Sequence, residues 1–338
     1  MAVSLPSDFT PIPQVLLPKA RQAFVARALS NAFIGSGSGF PVQMMNDPGF
    51  INGGQYLSGP TFKQLLSATR RDITSTSALT ASKVEGVDNQ GVICNRRSQL
   101  VEFADDSYIA GFSREAISAE LGRQAGEMVA DDMLSTIIAA IRGLVEAVGS
   151  SAHISNVWAA SGTRTNLSPS SIDGGRFLMG DAMARLTHIL TRSEAWRDMR
   201  SHAVGQAYDT VGGVALKGDM NANNDLVRTI RDDASLTDSD AGFDKYFTML
   251  MGAGILEVFF VKPMTIETDR RIDNETKKTQ WRVDWDLGLR CPHMKYNSGA
   301  GGANPTNATL KSSANWTDTM SNHKELALVE IQHNYSNN

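Results

Sequence analysis

SREAISAELGRQAGEMVADDMLSTIIAAIRGLVEAV, residues 113–148, carries the strongest local signal in the chain. Ile117, Leu121, Ala125 and Met128, then Leu134, Ile138, Ile141, Val145 and Val148, recur at helical spacing. Ser113 suits an N-cap, Glu115 places an acid in the first turn where the helix dipole favours it, and Gly149 suits the stop. At 1.5 Å per residue such a helix is about 50 Å long, which matches the diameter of about 50 Å expected of a compact chain of this size. The spacing therefore predicts a spine crossing the whole molecule and favours an elongated subunit. Its seam, Leu134, Ile138, Ile141 and Val145, is expected under strands, with Glu120 on the polar side. Asp131 and Asp132 could suggest paired carboxylates, but a solvated or intersubunit helix face fits them better.

Ahead of this helix the pattern is poor. Residues 1–60 are rich in Pro, Gly and Asn; Pro6, Pro11, Pro13 and Pro18 favour extended chain. A short helix is expected over Lys19–Phe33, ending at the glycines of GSGSG (Gly35–Gly39), with turns at Asp47-Pro48-Gly49 and Asn52-Gly53. Over 61–110, RDITSTSALTASKVEGV and GVICNRRSQLVEF flank a turn at Asp88–Gly91 and read as a long polar hairpin. Both segments lack an apolar core of their own: the arm is expected either to be disordered or to lie on something else, and the hairpin to project and be covered by neighbours.

Behind the helix, a loop over 150–175 leads to an expected second helix over Arg176–Ser193 and a short helical turn at EAWRDM (Glu194–Met199). Ile255–Val261 reads as a buried strand. Ile266, Trp281, Val283, Trp285, Leu287 and Leu289 alternate around a turn at Asp273-Asn274, and Leu326–Gln332 is a last strand. Residues 296–315 form a Gly/Asn/Ser loop. The fold class is α+β.

The chain has 338 residues, 41% hydrophobic and 20% charged, enough to bury a sizeable core. Lys plus Arg number 32 against 36 Asp plus Glu, a net charge of -4, which argues against a surface devoted to nucleic acid or anionic lipid. Cys94 and Cys291 form neither a metal spacing nor a disulfide framework, and a reducing compartment suits them. No apolar run approaches the roughly 20 residues that span a bilayer, and the first residues lack the pattern of a signal peptide.

Catalytic motifs are missing. GVALKG (Gly213–Gly218) is followed by Asp219 and lacks the Lys and hydroxyl of a phosphate-binding loop, and the middle residue of GSGSG is Gly37, not Ser. His153, His188, His202, His293, His323 and His333 never pair at metal-ligand spacing. Arg70-Arg71 and Arg96-Arg97 read as surface charge or intersubunit ion pairs. The sequons at Asn166, Asn274, Asn307 and Asn315 mean little without a secretory signal. No catalytic, cofactor or metal residues are assigned.

The order of the pieces (arm, polar hairpin, spine helix, helical insert, returning strands) resembles the major capsid proteins of tailed bacteriophages, with the Hong Kong 97-type capsid fold. The resemblance covers most of the chain. Ser77–Ala147, from SALTASKVEGV to IRGLVEA, is similar to the family's passage from hairpin to spine, where the helix closes in an Ile/Leu-Arg/Lys-Gly phrase. GDAMARLTHILTRSEAWRDMR (180–200) is similar to its insert, and YFTMLMGAGILEV (246–258) and WRVDWDLGLRCPHMKY (281–296) to its returning strands. The glycine-rich segment 297–314 is not a fixed family feature.

This resemblance implies an N-arm (1–50), an extended E-loop (51–110), a peripheral P domain with the spine (111–160), an axial A domain (161–260) and a return to the P domain (261–338). It implies a structural subunit, not an enzyme, that self-assembles through hexamers and pentamers into an icosahedral shell around double-stranded DNA. It further implies a separate scaffolding protein, a portal, a decoration protein in some shells, non-specific contact with DNA, no membrane, and a place in the virion after assembly in the host cytoplasm. Some relatives cross-link a hairpin Lys, here Lys63 or Lys83, to an Asn, but no spacing identifies the required Glu. The alternatives are an encapsulin-like nanocompartment shell and, third, a hydrolase using His188 or Asp131.

The seam yields a test. Ile138→Asp should give insoluble or unfolded subunits, because an unpaired buried charge costs several kcal/mol, whereas Glu120→Ala should fold. Soluble yield and thermal melting of both variants measure this.

Overall fold

The computed structural model describes residues 13–46, 50–52, 55–58, 60–62, 86–104, 114–149, 152–159, 165–207, 210–211, 214–215, 226–240, 243–273, 276–320 and 322–334. Four helices of two turns or more are described: α1 (Pro13–Leu29), α2 (Arg114–Val148), α3 (Pro169–Phe177) and α4 (Ser193–Ala207). The spine is α2, 35 residues long, and ends one residue before Gly149 as expected.

Two β-sheets enclose it. The larger runs in the order Ile34–Gly35, Val42–Met45, Leu256–Asp273, Thr276–Arg290, Gly91–Arg97, Tyr56–Ser58, Phe50–Asn52, with Val101–Ala104 pairing the outer part of Thr276–Arg290. Its centre is the expected hairpin, Leu256–Asp273 against Thr276–Arg290, paired from Glu257↔Arg290 to Asp273↔Thr276 with register shifts between Phe260 and Lys262 and between Lys262 and Thr265. The smaller sheet runs Val227–Ile230, His188–Thr191, Phe243–Met251, Leu328–His333, Ile154–Asn156, with Thr237–Asp240 on Phe243–Met251.

Strand alternation divides the core. Leu190, Phe247, Met249, Met251 and Leu328 join the cluster around α2, while Ile189, Leu250, Val329 and Ile331 face α3 and the turn after it. In the larger sheet Val92 and Cys94 join the α2 cluster, and Ile93 packs with Leu57 and Phe259 in a separate one. The seam residues Leu134, Ile138, Ile141 and Val145 are fully buried, but so are Ile137, Ala139, Ala140 and Leu144. Burial here is all round rather than one-sided, because sheet strands and the 307–316 segment cover α2 together. Each fully buried Leu or Ile contributes about 1.5–3 kcal/mol, so this half of α2 dominates the core.

Three expectations change. The N-terminal segment does not lack a core: Leu16, Ala20, Ala28, Phe33, Ile34 and Val42 are buried in this chain's own interior. The helix there starts at Pro13, not Lys19, and carries Pro18 inside it. A proline forfeits an intrahelical hydrogen bond, and packing along α2 offsets that loss. Residues 1–12 lie outside the described residues.

The GVICNRRSQLVEF run is not simply one arm of a polar hairpin. Gly91–Arg97 is an interior strand of the larger sheet, with Val92, Ile93 and Cys94 buried. Pro60–Phe62 does pair with Gly86–Asp88, joining the two ends of the segment 63–85, which itself lies outside the described residues. The expected helix Arg176–Ser193 is instead the end of α3, a 3₁₀ turn (Gly180–Arg185) and the buried strand His188–Thr191. Gly180 takes φ 54, a left-handed turn that ends helical continuation, and HILT is a short apolar run that periodicity alone cannot assign.

The α1–α2 contact depends on close backbone approach. A Cβ on Gly126 would overlap the Ala20 carbonyl oxygen. Helix propensity alone predicts that Gly126→Ala stabilises by about 1 kcal/mol; the overlap predicts a net loss of about 1–3 kcal/mol. Urea unfolding of the variant decides the sign.

Candidate functional site: the polar joint on the spine helix

The polar side chains of α2 fasten it to four other parts of the chain. Asp131 accepts from Arg27 of α1 (3.1 Å) and from Arg231 after strand Val227–Ile230 (3.1 Å). Asp132 faces Arg96 of strand Gly91–Arg97 at 3.5 Å, and burial raises its carboxyl above the usual range despite that cation. Ser135 donates to Asp233 (2.6 Å), which also caps the turn at Ser235 (2.8 Å). Thr136 and Arg96 both donate to Asn307 Oδ1, at 3.1 and 2.9 Å. Nearly two turns beyond, Arg142 donates to Glu146 (2.9 Å) and to the Ser235 carbonyl (3.0 Å).

Last, Gly143 lets the 307–316 segment reach the helix. A Cβ there would overlap the Leu310 carbonyl, which accepts the Trp316 indole N–H at 2.8 Å. The Gly/Asn-rich segment is thus a strap. Asn304 takes φ 51 and accepts the Asn95 N–H (2.9 Å), and Thr306 caps the helical turn Asn307–Lys311. Between the end of α1, α2 and residues 230–235 lies a cleft of about 790 Å³, lined by Arg27, Asp131, Ser135, Arg231, Asp233 and Asn307 among others.

The paired arginines and aspartates are therefore not free surface charge. Arg96 pairs with Asp132 and Arg97 with Asp284 (3.0 Å), both within one chain. They find partners because Gly91–Arg97 lies beside α2 and the hairpin rather than projecting. Glu120 pairs with Arg123 of its own helix (2.6 Å). Arg70, Arg71, Lys63 and Lys83 lie outside the described residues.

His153, His188 and His333 are built into the packing of the smaller sheet. His153 is fully buried, with Nε2 3.0 Å from the His323 carbonyl oxygen and Nδ1 on that of Leu328. Burial holds its pKa below the ordinary value. His333 lies between Thr248 (3.0 Å) and the Asn334 carbonyl (3.0 Å), and burial pushes it down to about 4. His188 contacts Thr187 (2.9 Å), and burial lowers both it and His293. The side chain of His202 is outside the described residues. Cys94 and Cys291 are free and buried, and burial pushes both thiols up to about 12, which makes them poor nucleophiles. Asn307 and Asn315 are engaged inside the strap, and Asn315 is buried. Among the described residues no group of three metal-ligating side chains converges, and no helix is long and apolar enough to cross a membrane.

Arg142, Arg231, Asp233 and Glu330 were not singled out from the sequence. A signal existed for two of them: Arg142 and Glu330 are single charges inside the apolar runs IIAAIRGLV and LALVEIQ.

The joint ties the N-terminal helix, the sheet strand 91–97, the 230–238 region and the C-terminal strap to one rod. The sequence pattern of the major capsid protein 13-like family matches residues 50–329, and the chain belongs to that family. It is a structural capsid protein of the virion, and it associates with copies of itself in the shell.

Solved structures agree in fold. The capsid of Ralstonia phage GP4 is 10% identical, with 91% of each chain covered and a TM-score of 0.55. The cyanophage Pam1 capsid is 13% identical over 94% of this chain and 93% of that one, with a TM-score of 0.54. No curated protein matches in sequence. The fold is the phage-capsid, Hong Kong 97-type architecture that the sequence resembles.

Asn307→Ala should remove the shared acceptor of Arg96 and Thr136. Leaving these donors without their partner should cost about 1–3 kcal/mol, read as a lower urea midpoint with an unchanged slope.

Proposed function

We propose that this chain forms hexameric and pentameric capsomers of an icosahedral shell around double-stranded DNA. The domain division is 1–50 N-arm, 51–110 E-loop, 111–160 and 261–338 P domain, and 161–260 A domain, with the A domain at the capsomer centre. Two strands from outside 161–260, Ile154–Asn156 and Leu328–His333, complete the smaller sheet and so tie the A and P parts together. A scaffolding protein, a portal and, in some shells, a decoration protein are its further partners. Contact with DNA is without sequence preference, consistent with the net charge of -4 and the lack of Lys/Arg runs interleaved with aromatics.

One observation carries the placement of the contacts: Phe177 is 70% exposed at the end of α3, and Met183 is 42% exposed on the next turn. Both lie within 161–260, on the layer that covers the outer face of the smaller sheet. Bare apolar side chains of this size on a shell subunit are surface for its neighbours.

Phe177→Asp removes that surface without touching the core. Thermal melting of the purified chain should stay within a few degrees of wild type, and electron microscopy should show shells for wild type and none for the variant. Wild-type-like shells from Phe177→Asp would place the capsomer contacts elsewhere. Uniform small particles from the wild-type chain, with no shells, tubes or capsomers, would count against the shell reading itself.

A further inference from the structure

Glu330 sits in the middle of strand Leu328–His333, fully buried. It faces α2, since its strand neighbours Val329 and Ile331 turn to the α3 side. Oε1 accepts from Gln332 (2.7 Å), and Oε2 is buried with no hydrogen-bond donor. The closest cation is Arg142, whose Nε is 3.9 Å from Oε2.

Arg142 is already engaged. It is 3% exposed and lies over the Phe247 ring at 3.5 Å. It donates to Glu146 through Nε and Nη2 (3.1 and 2.9 Å), to Asp238 (3.3 Å), and to the carbonyls of Ser235 and Thr237 (3.0 and 3.4 Å). Lys311, from the strap, also reaches Asp238 (3.3 Å). The hydrogen bonds of Arg142 and Lys311 thus go to the partly exposed Glu146 and Asp238, and Glu330 has no hydrogen-bonded cation of its own.

Besides Arg142, the charges that act on it are Glu146, which opposes its ionisation, and Lys245, which favours it. Met249 is its partner on strand Phe243–Met251, and Ile154 its partner on the other side. Lys245, on the same strand as Met249, is turned to the rings of Trp158 (5.3 Å) and Phe247 (5.7 Å). The Glu330 amide donates to the carbonyl of His153, whose ring is held by the backbone oxygens of Leu328 and His323.

We propose that Glu330 is a proton-operated latch between the spine helix and the smaller sheet. With Glu330 protonated, the interior holds no unpaired carboxylate, and Arg142 ties α2 to residues 235–238. Ionisation creates a buried carboxylate with no hydrogen-bonded cation, draws the guanidinium across the 3.9 Å gap towards Oε2, and weakens its hold on Glu146 and Asp238. The tether of strand Thr237–Asp240 to α2 then loosens. Burial pushes the Glu330 carboxyl up to about 7, which places the latch in the neutral range. The sign follows from linkage: the folded state holds this proton more tightly than the unfolded chain, so the stabilisation is complete below the ordinary carboxylate range and is lost as pH rises through about 7.

Glu330→Gln fixes the neutral form at nearly the same size. Hydrogen exchange of peptides covering residues 234–240 in the full chain, wild type against variant, reads the tether. At pH 5.5 the two should match. At pH 8 the wild type should exchange several-fold faster than Glu330→Gln. Equal exchange at both pH values overturns the latch, and so does an excess in the wild type that is already present at pH 5.5. Wild-type protein labelled with carboxyl-¹³C glutamate gives a second reading that does not require the variant to fold. A protonated glutamic acid carbonyl band in the infrared at pH 6, gone by pH 8, supports the proposal; no such band at pH 6 overturns it.

Discussion

One stretch of α2, ten residues long, has no face in water. From Thr136 to Val145 every residue is buried, and that enclosure governs the rest. An exposed helix can send its polar side chains to solvent. Here Thr136 and Arg142 must be satisfied by protein groups, because an unpaired buried donor costs about 1–3 kcal/mol and a charge more. The partners come from far along the chain: Asn307 for Thr136, and Asp238 and the 235 and 237 carbonyls for Arg142. Covering one rod thus fixes where the strap, the 230–238 region and the C-terminal strand must lie.

The same constraint suits a wall. The connections converge on one rigid element rather than passing through loops, so a load applied to one sheet reaches the other through a packed interior that deforms little. It also explains how solved phage capsids with only 10–13% identity keep the architecture over nine-tenths of the chain. An enclosed helix demands volume and pattern at each position more than particular side chains. Where charge has entered the enclosure, at Arg142 and Glu330, the balance is less forgiving.

What could be read in advance followed the strength of the periodicity. The spine was legible because nine apolar positions recur at helical spacing, and the hairpin 256–290 because Trp281, Val283, Trp285, Leu287 and Leu289 alternate. The docking of α1 was not. It relies on Gly126 admitting the Ala20 carbonyl, and a glycine in a helical pattern does not announce which backbone will approach it. The joint was half visible: Asp131, Asp132, Arg96 and Arg97 stood out as charges, but their mutual pairing links residues far apart in sequence.

The class of fold, the spine and its buried seam, and the returning hairpin are legible in the amino-acid order alone, because those depend on local period and on residue types. Only the tertiary structure decided that the N-terminal helix belongs to this chain's own core, that HILT is a strand and not a helix, and that the glycine-rich segment is a strap. It also decided that Glu330 faces an arginine already taken. Each of these is set by which distant groups share one enclosed space. Burial and charge balance are properties of that space, and no window of neighbouring residues contains them.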